Sequence, residues 1–376
     1  MHYFNPVEII FGSGVRGKII DECSKKKVLI ICSRTSLDRY SSDEELATLI
    51  KSSSVDFEHG FESNPSLKDL ILISKKYSKK PPDLIIGLGG GSAMDVAKIV
   101  SVGIPGASKD IDIRELLEDS NLFSNFEPIK CLLIPTTAGT GSEVTHFATV
   151  WDYETNQKKS LGHRGMFAHK AFIDPDFLQD IPAEVSISTG LDALNQAFES
   201  LWNVNSTDYT RILCRQAILL SLKVLPNTNM ISLNSEMRQM LSMASLLSGL
   251  AISQTRTSIC HSISYPLTLK YKIDHGMACT FSFLEVFKFN LEYIKKDVEI
   301  IEQSMSAELF PCLEKVINLH KVYPFLSDRL PDKNSFSESL DDFVTEGRFE
   351  NNIRKCNQDD LIKIVSDSYD SIMNSK

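Results

Sequence analysis

Asp192, His261 and His275 are the residues of this chain whose types and spacing suit chemistry at a divalent metal. Asp192 and Gln196 stand four apart in GLDALNQAFESL (Gly190–Leu201), so on a helix they share a face, while Ala193, Leu194, Ala197, Phe198 and Leu201 supply the apolar stripe. His261 lies in SICHSISYP and His275 in KYKIDHGMAC. A carboxylate and two imidazoles from three separate, largely uncharged stretches suit an ion of the iron or zinc kind. The same residues also suit a packed core in which each histidine is satisfied by a hydrogen bond, and spacing alone does not choose.

A second constellation is PDLIIGLGGGSAMDVAKIV, Pro82–Val100. It reads as a buried strand (Leu84–Leu88), a glycine loop (Gly89, Gly90, Gly91) and a helix from about Ser92, with Ser92 as N-cap. Glycines let backbone approach a ligand, and the N–H groups of a helix's first turn hold phosphate. Asp95 and Lys98, three apart, share a face of that helix. The stretch is neither G-x-G-x-x-G nor a P-loop, and a tight strand–helix turn without a ligand has the same composition.

The elements around these residues divide the chain. Strands are predicted at Pro6–Phe11, Lys27–Cys32, Val55–Phe57, Cys131–Ile134, Phe147–Asp152 and Ala171–Asp174, and helices at Gly17–Ser24, Asp43–Ser52, Leu67–Tyr77 and Asp112–Glu118. Ile104–Ser124 otherwise reads as irregular. The alternation predicts a parallel, doubly wound α/β sheet. From Ile187 onward helix follows helix, which places a junction at Asp174–Pro182 and predicts domains 1–178 and 179–376. Tyr323–Arg348 is polar, carries two prolines and reads as loop-rich.

Composition narrows the function classes. A net charge of −9 argues against an electrostatic nucleic-acid binder or a basic membrane-surface protein. No stretch reaches the ~18 apolar residues of a membrane span, and the opening MHYFNPVEIIFGSG lacks the pattern of a secretory signal. The eight cysteines are scattered without C-x-x-C pairs, so reduced thiols in a cytoplasmic protein are expected rather than a disulfide frame or a thiolate zinc site.

Six segments in order, GLGGGSAMDVAK, PTTAGTGSEVT, AFIDPDFL, STGLDALNQAFE, CHSISYPL and DHGMAC, resemble the iron-containing (group III) alcohol dehydrogenase family over most of Pro6–Asn290. The resemblance implies an N-terminal Rossmann-like nucleotide domain and an all-helical C-terminal domain, the dehydroquinate synthase-like architecture, with the active site in the cleft between. It implies that Gly90, Gly91 and Ser92 hold the pyrophosphate of a nicotinamide cofactor, with Asp95 on the same helix. Thr136, Thr137 and Thr140 would line the nicotinamide side, Asn64 would contact the cofactor, and Lys158 its ribose. Asp192, His261 and His275 fall on three of four metal-ligand positions, for iron or zinc. A homodimer also accords with the family, although no interface signature is present.

Three positions depart from the family pattern. The fourth ligand position, usually histidine, is Gln196, a neutral oxygen donor weaker than imidazole. A family histidine near the nicotinamide is Tyr265, a poorer proton shuttle at neutral pH. The second strand ends in Ser33 and Arg34 in place of the aspartate of NAD-preferring members, which favours NADPH over NADH. QTRTSICHSISYPLT and FESLWNVNST resemble the subgroup acting on phosphonoacetaldehyde and 2-hydroxyethylphosphonate. Arg256 and Lys270 are then the positive groups available to a substrate anion. The expected activity is metal-dependent, NAD(P)H-linked reduction of a small anionic aldehyde. The alternatives are sulfoacetaldehyde, a neutral aliphatic aldehyde, a dehydroquinate-synthase-like lyase, or a cofactor-binding remnant without turnover.

Overall fold

The computed structural model describes residues 2–375 except 41–42, 51–53, 60, 62–64, 156, 340–342 and 344–348. The chain forms two compact units. One comprises Phe4–Thr137 and Ser142–Phe177; the other comprises Met1–Tyr3, Ala138–Gly141 and Leu178–Lys376.

The first unit is built on short apolar runs. Val28–Cys32 (β2), Leu84–Gly89 (β4) and Cys131–Pro135 (β5) are buried along their whole length, as in a parallel sheet covered on both faces. With Glu8–Phe11 (β1), Val55–Glu58 (β3) and Lys170–Ile173 (β8) they form an all-parallel six-stranded sheet in the order β1-β8-β5-β4-β2-β3. The chain leaves β2 for β3 on one side and returns as β4 on the other. The point where strand order reverses therefore lies between β2 and β4, where open α/β sheets bind ligands at the carboxyl ends of their strands.

Phe147–Asp152 (β6) is a strand as expected, but outside this sheet. It pairs antiparallel with Gln157–Gly162 (β7) in a separate hairpin. β7, QKKSLG, is half exposed and mostly polar, so it carries no apolar run to announce it. Two helices also differ from expectation. Arg34–Tyr40 is a helix that starts at the residues expected only to end the second strand, and the glycine-loop helix runs from Gly91 to Ala107, past Pro105 and into the stretch expected to be irregular. Its N-cap is Gly90 and not Ser92, and no side chain caps it.

The second unit is helical. Its main pieces are Ala183–Leu201, Asp208–Val224, Ser235–Thr255, Ile259–Tyr271, His275–Thr280, Phe283–Met305, Leu309–Leu319 and Gln358–Met373. One face of Ala183–Leu201 packs into an aromatic cluster, with Phe198 ring centres 5.5 Å from Trp202, 5.2 Å from Phe283 and 5.8 Å from Phe287. Such pairs each add roughly 0.5–1.5 kcal/mol beyond area burial and fix the rotation of the helix, hence the direction of Asp192. Tyr323–Arg348 is not uniformly loop, since Val322–Ser327 and Lys333–Glu338 are helical and bury Leu326 and Phe336. The rest of that segment lies partly outside the described residues. No helix among the described residues is long and apolar enough to cross a membrane.

Candidate metal centre and cofactor cradle

The metal-type residues converge within the helical unit. Asp192 sits mid-helix in Ala183–Leu201, His261 in the first turn of Ile259–Tyr271, and His275 begins His275–Thr280. His261 Nε2 is 3.3 Å and His275 Nε2 3.8 Å from Asp192 Oδ1, and the two imidazole rings stand 5.2 Å apart, edge to face. One donor atom from each of Asp192, His261, His275 and Cys279 lies within 4.8 Å of all the others. Gly276 makes this approach possible. A Cβ there would sit 1.7 Å from the carbonyl oxygen of Ser188, so the short helix carrying His275 can lie against Ala183–Leu201 only with glycine at that position.

The donors fit a cation. Asp192 Oδ1 and Gln196 Oε1 are both buried without a hydrogen-bond partner. Each such acceptor costs roughly 1–3 kcal/mol if nothing satisfies it, and a bound cation satisfies acceptors of this type. Burial pushes the Asp192 carboxyl up, but contact with His261 and the charges of His275 and His261 outweigh it and hold it below the usual carboxylate range. Burial likewise raises the Cys279 thiol, and the neighbouring imidazoles bring it down to about 6. Burial favours neutral His261, yet Cys279, Glu199 and Asp192 push it well above the ordinary imidazole value. The pocket thus brings together one carboxylate, one thiol and two imidazoles, a donor set that suits a divalent cation.

Two residues of this centre went unread in the sequence. Glu199, fully buried, pairs through Oε2 with His261 Nδ1, and its Oε1 accepts from the His261 backbone N–H at 3.2 Å and Ser258 Oγ at 3.3 Å. With Nδ1 engaged, Nε2 faces Asp192, the carboxylate–histidine arrangement that orients metal ligands. The available signal was spacing, since Glu199 is seven residues beyond Asp192 on the same helical face. Cys279 is the other. Cys279 is a buried free thiol as expected, and it stands one helical turn after His275 rather than in a C-x-x-C pair. Its Sγ lies 3.8 Å from His275 Nε2. All eight cysteines are free thiols.

The other predicted site residues distribute as follows. Tyr265, one turn beyond His261, is buried. Arg256 is exposed at the end of Ser235–Thr255 with φ +63°. Lys270 is exposed in the last turn of the His261 helix, about 13 Å of helix rise beyond His261, so the structure does not bring it to the metal-type cluster.

In the sheet unit, three predicted cofactor segments occupy the carboxyl ends of adjacent strands: Ser33 and Arg34 after β2, Gly90–Ser92 after β4, and Thr136 and Thr137 after β5. Gly89 turns the chain at φ +150°, and the Thr136 N–H donates to its carbonyl at 2.9 Å. Ser33 Oγ accepts from the Ser36 N–H, and exposed Arg34 pairs with Asp38 at 3.5 Å. Lys158 lies over the Trp151 ring. Thr140 belongs to the helical unit. Asn64 lies outside the described residues. Asp95 is committed to the fold: it accepts from Ser142 Oγ at 2.6 Å and the Thr149 N–H at 2.8 Å, and pairs with fully buried Lys98 at 3.1 Å.

This fold and this residue set define the class. The iron-containing alcohol dehydrogenase family pattern matches residues 6–175, its C-terminal pattern matches residues 186–369, and the chain belongs to that family. The family's cofactors are a nicotinamide dinucleotide and a divalent metal. Among relatives, the phosphonoacetaldehyde reductase of Streptomyces viridochromogenes is 32% identical over 55% of this chain and 53% of its own length. The sulfoacetaldehyde reductase of Bilophila wadsworthia is 34% identical over 56% and 53%. The matches thus span about half the length of these relatives. An iron-containing alcohol dehydrogenase from Thermotoga maritima superposes with a TM-score of 0.83 at 27% identity, covering 98% of this chain and 99% of that one.

Proposed function

We propose that this chain is an NAD(P)H-linked, metal-dependent reductase of a small anionic aldehyde, phosphonoacetaldehyde first, yielding 2-hydroxyethylphosphonate. The observation that carries the reading is the convergence of Asp192, His261 and His275 around an unpartnered buried carboxylate oxygen. These three side chains would hold the metal, with Gln196 and Cys279 in the same neighbourhood. When bound, the metal supplies Lewis-acid polarisation of a carbonyl oxygen and the reduced nicotinamide supplies hydride. Glu199 fixes the His261 ring by its Nδ1, so that Nε2 is presented to the centre. Tyr265 Oη, on the next turn of the same helix, is our candidate to hold the proton that the alcohol oxygen acquires.

Gly90, Gly91 and Ser92 are proposed to hold the cofactor's pyrophosphate on a helix start that has no side-chain cap. Thr136, Thr137 and Thr140 would face the nicotinamide, and Lys158 the ribose. An arginine and no acid directly after β2 supports NADPH over NADH. The anion preference rests on Arg256 and on the two relatives that reduce anionic aldehydes. Sulfoacetaldehyde is the second substrate reading, favoured by the Bilophila relative. Free thiols accord with a cytoplasmic setting, and a homodimer, after the family's habit, is open to sedimentation analysis.

The test is NADPH oxidation by the zinc- or iron-loaded protein with phosphonoacetaldehyde, sulfoacetaldehyde and acetaldehyde. Turnover on phosphonoacetaldehyde at the highest kcat/KM supports the reading. A preference for sulfoacetaldehyde transfers it to the second anion, and equal use of acetaldehyde removes the anion site.

A further inference from the structure

We propose that Cys279, and not Gln196, supplies the fourth donor of the metal centre, making it an Asp–His–His–Cys site. This rests on the reading of Asp192, His261 and His275 as ligands. Three observations carry it. The Cys279 sulfur lies inside the 4.8 Å cluster, at 3.8 Å and 3.9 Å from the two ring nitrogens of His275. His275 and Cys279 are four apart on one short helix, so a single placement of that helix aims both at Asp192. Gly276 between them permits that placement against Ser188.

Gln196 offers a neutral amide oxygen, Oε1, which is buried without a hydrogen-bond partner, whereas Cys279 offers a thiolate, the softer and stronger donor toward zinc and cobalt(II).

The substitution of thiolate for a neutral donor changes the site's chemistry. One carboxylate and one thiolate carry two negative charges, which balance a divalent cation in a buried pocket. Sulfur with two imidazoles favours zinc or cobalt(II) in tetrahedral surroundings over magnesium or manganese.

The experiment uses the full chain, stripped of metal and titrated with cobalt(II) and zinc. X-ray absorption on the wild-type zinc form should show one sulfur neighbour at about 2.3 Å among nitrogen and oxygen neighbours. The cobalt(II) form should show a thiolate-to-cobalt charge-transfer band in the near ultraviolet. Cys279→Ser should abolish the band and weaken zinc by more than about 100-fold, beyond the ~10–100-fold typical of a supporting residue. Gln196→Ala should keep the band and stay within that lower range. Metal bound at one per chain with no sulfur neighbour overturns the assignment of Cys279 while leaving the other three ligands standing. Failure of the wild type to bind either metal overturns the metal reading itself.

Discussion

His261 reaches its position through a carboxylate that touches no ligand site of its own. Because Glu199 holds Nδ1, Glu199→Gln should weaken zinc by about 10–100-fold while far-ultraviolet circular dichroism stays unchanged, a result read by competition with a chromophoric chelator. His275→Ala should lose metal and activity together in a folded protein. Arg256→Ala should raise KM for phosphonoacetaldehyde and leave acetaldehyde nearly unaffected; an equal change in both removes Arg256 from the anion site. Glu143 offers a pH test in the other unit. Burial raises its carboxyl from 4.5 to about 7 against the opposing pull of a backbone hydrogen bond and Lys98, and its Oε2 has no hydrogen-bond partner. The folded state therefore holds this proton more tightly than the unfolded chain. Its contribution is complete below about pH 4.5 and is lost as pH rises through about 7. Glu143→Gln should remove this loss, gaining on the order of 3 kcal/mol over wild type between pH 4.5 and 8 in denaturant titrations.

At the scale of elements, two close approaches position the chemistry. Gly276→Ala would drive a Cβ into the Ser188 carbonyl, and only separation of the two helices relieves that. The expected result is a loss of about 1–3 kcal/mol in unfolding free energy together with weaker zinc binding, since His275 opens the displaced helix. In the sheet unit, fully buried Lys98 donates to the Ser142 carbonyl, Thr145 Oγ1 and the Phe147 carbonyl, and pairs with Asp95. It ties the glycine-loop helix to the segment leading into β6. Lys98→Met should cost about 3–5 kcal/mol, measurable as a fall in the denaturation midpoint, because it removes the cation paired with Asp95 and the donor to three acceptors. The sequence pattern showed that Asp95 and Lys98 share a face, but the partners waiting on that face are 44 to 54 residues away. β7 stayed hidden for a related reason. Its pairing with β6, not its own apolar content, makes it a strand.

Across the whole molecule, metal binding and folding are linked. If zinc binds only the folded helical unit, free metal at 100 times its Kd stabilises by about 2.7 kcal/mol, so chelation should lower the melting temperature of that unit. A melting curve indifferent to chelator would contradict a pre-formed centre.

The alternation of strands and helices up to Asp174 apart from β7 and the helix Arg34–Tyr40, the continuous apolar runs of β2, β4 and β5, and the one-face spacing of Asp192 with Gln196 were determined by local sequence. They follow from the period of each element and from burial on one face or two. Family membership was likewise legible, because six short segments kept their order. Only tertiary structure decided that three segments spread over more than eighty residues meet within 4.8 Å, that Cys279 joins them, and that Glu199 stands behind His261. Those contacts arise where helices distant in sequence pack. A periodicity fixes which face a side chain is on, but not which partner helix that face will meet.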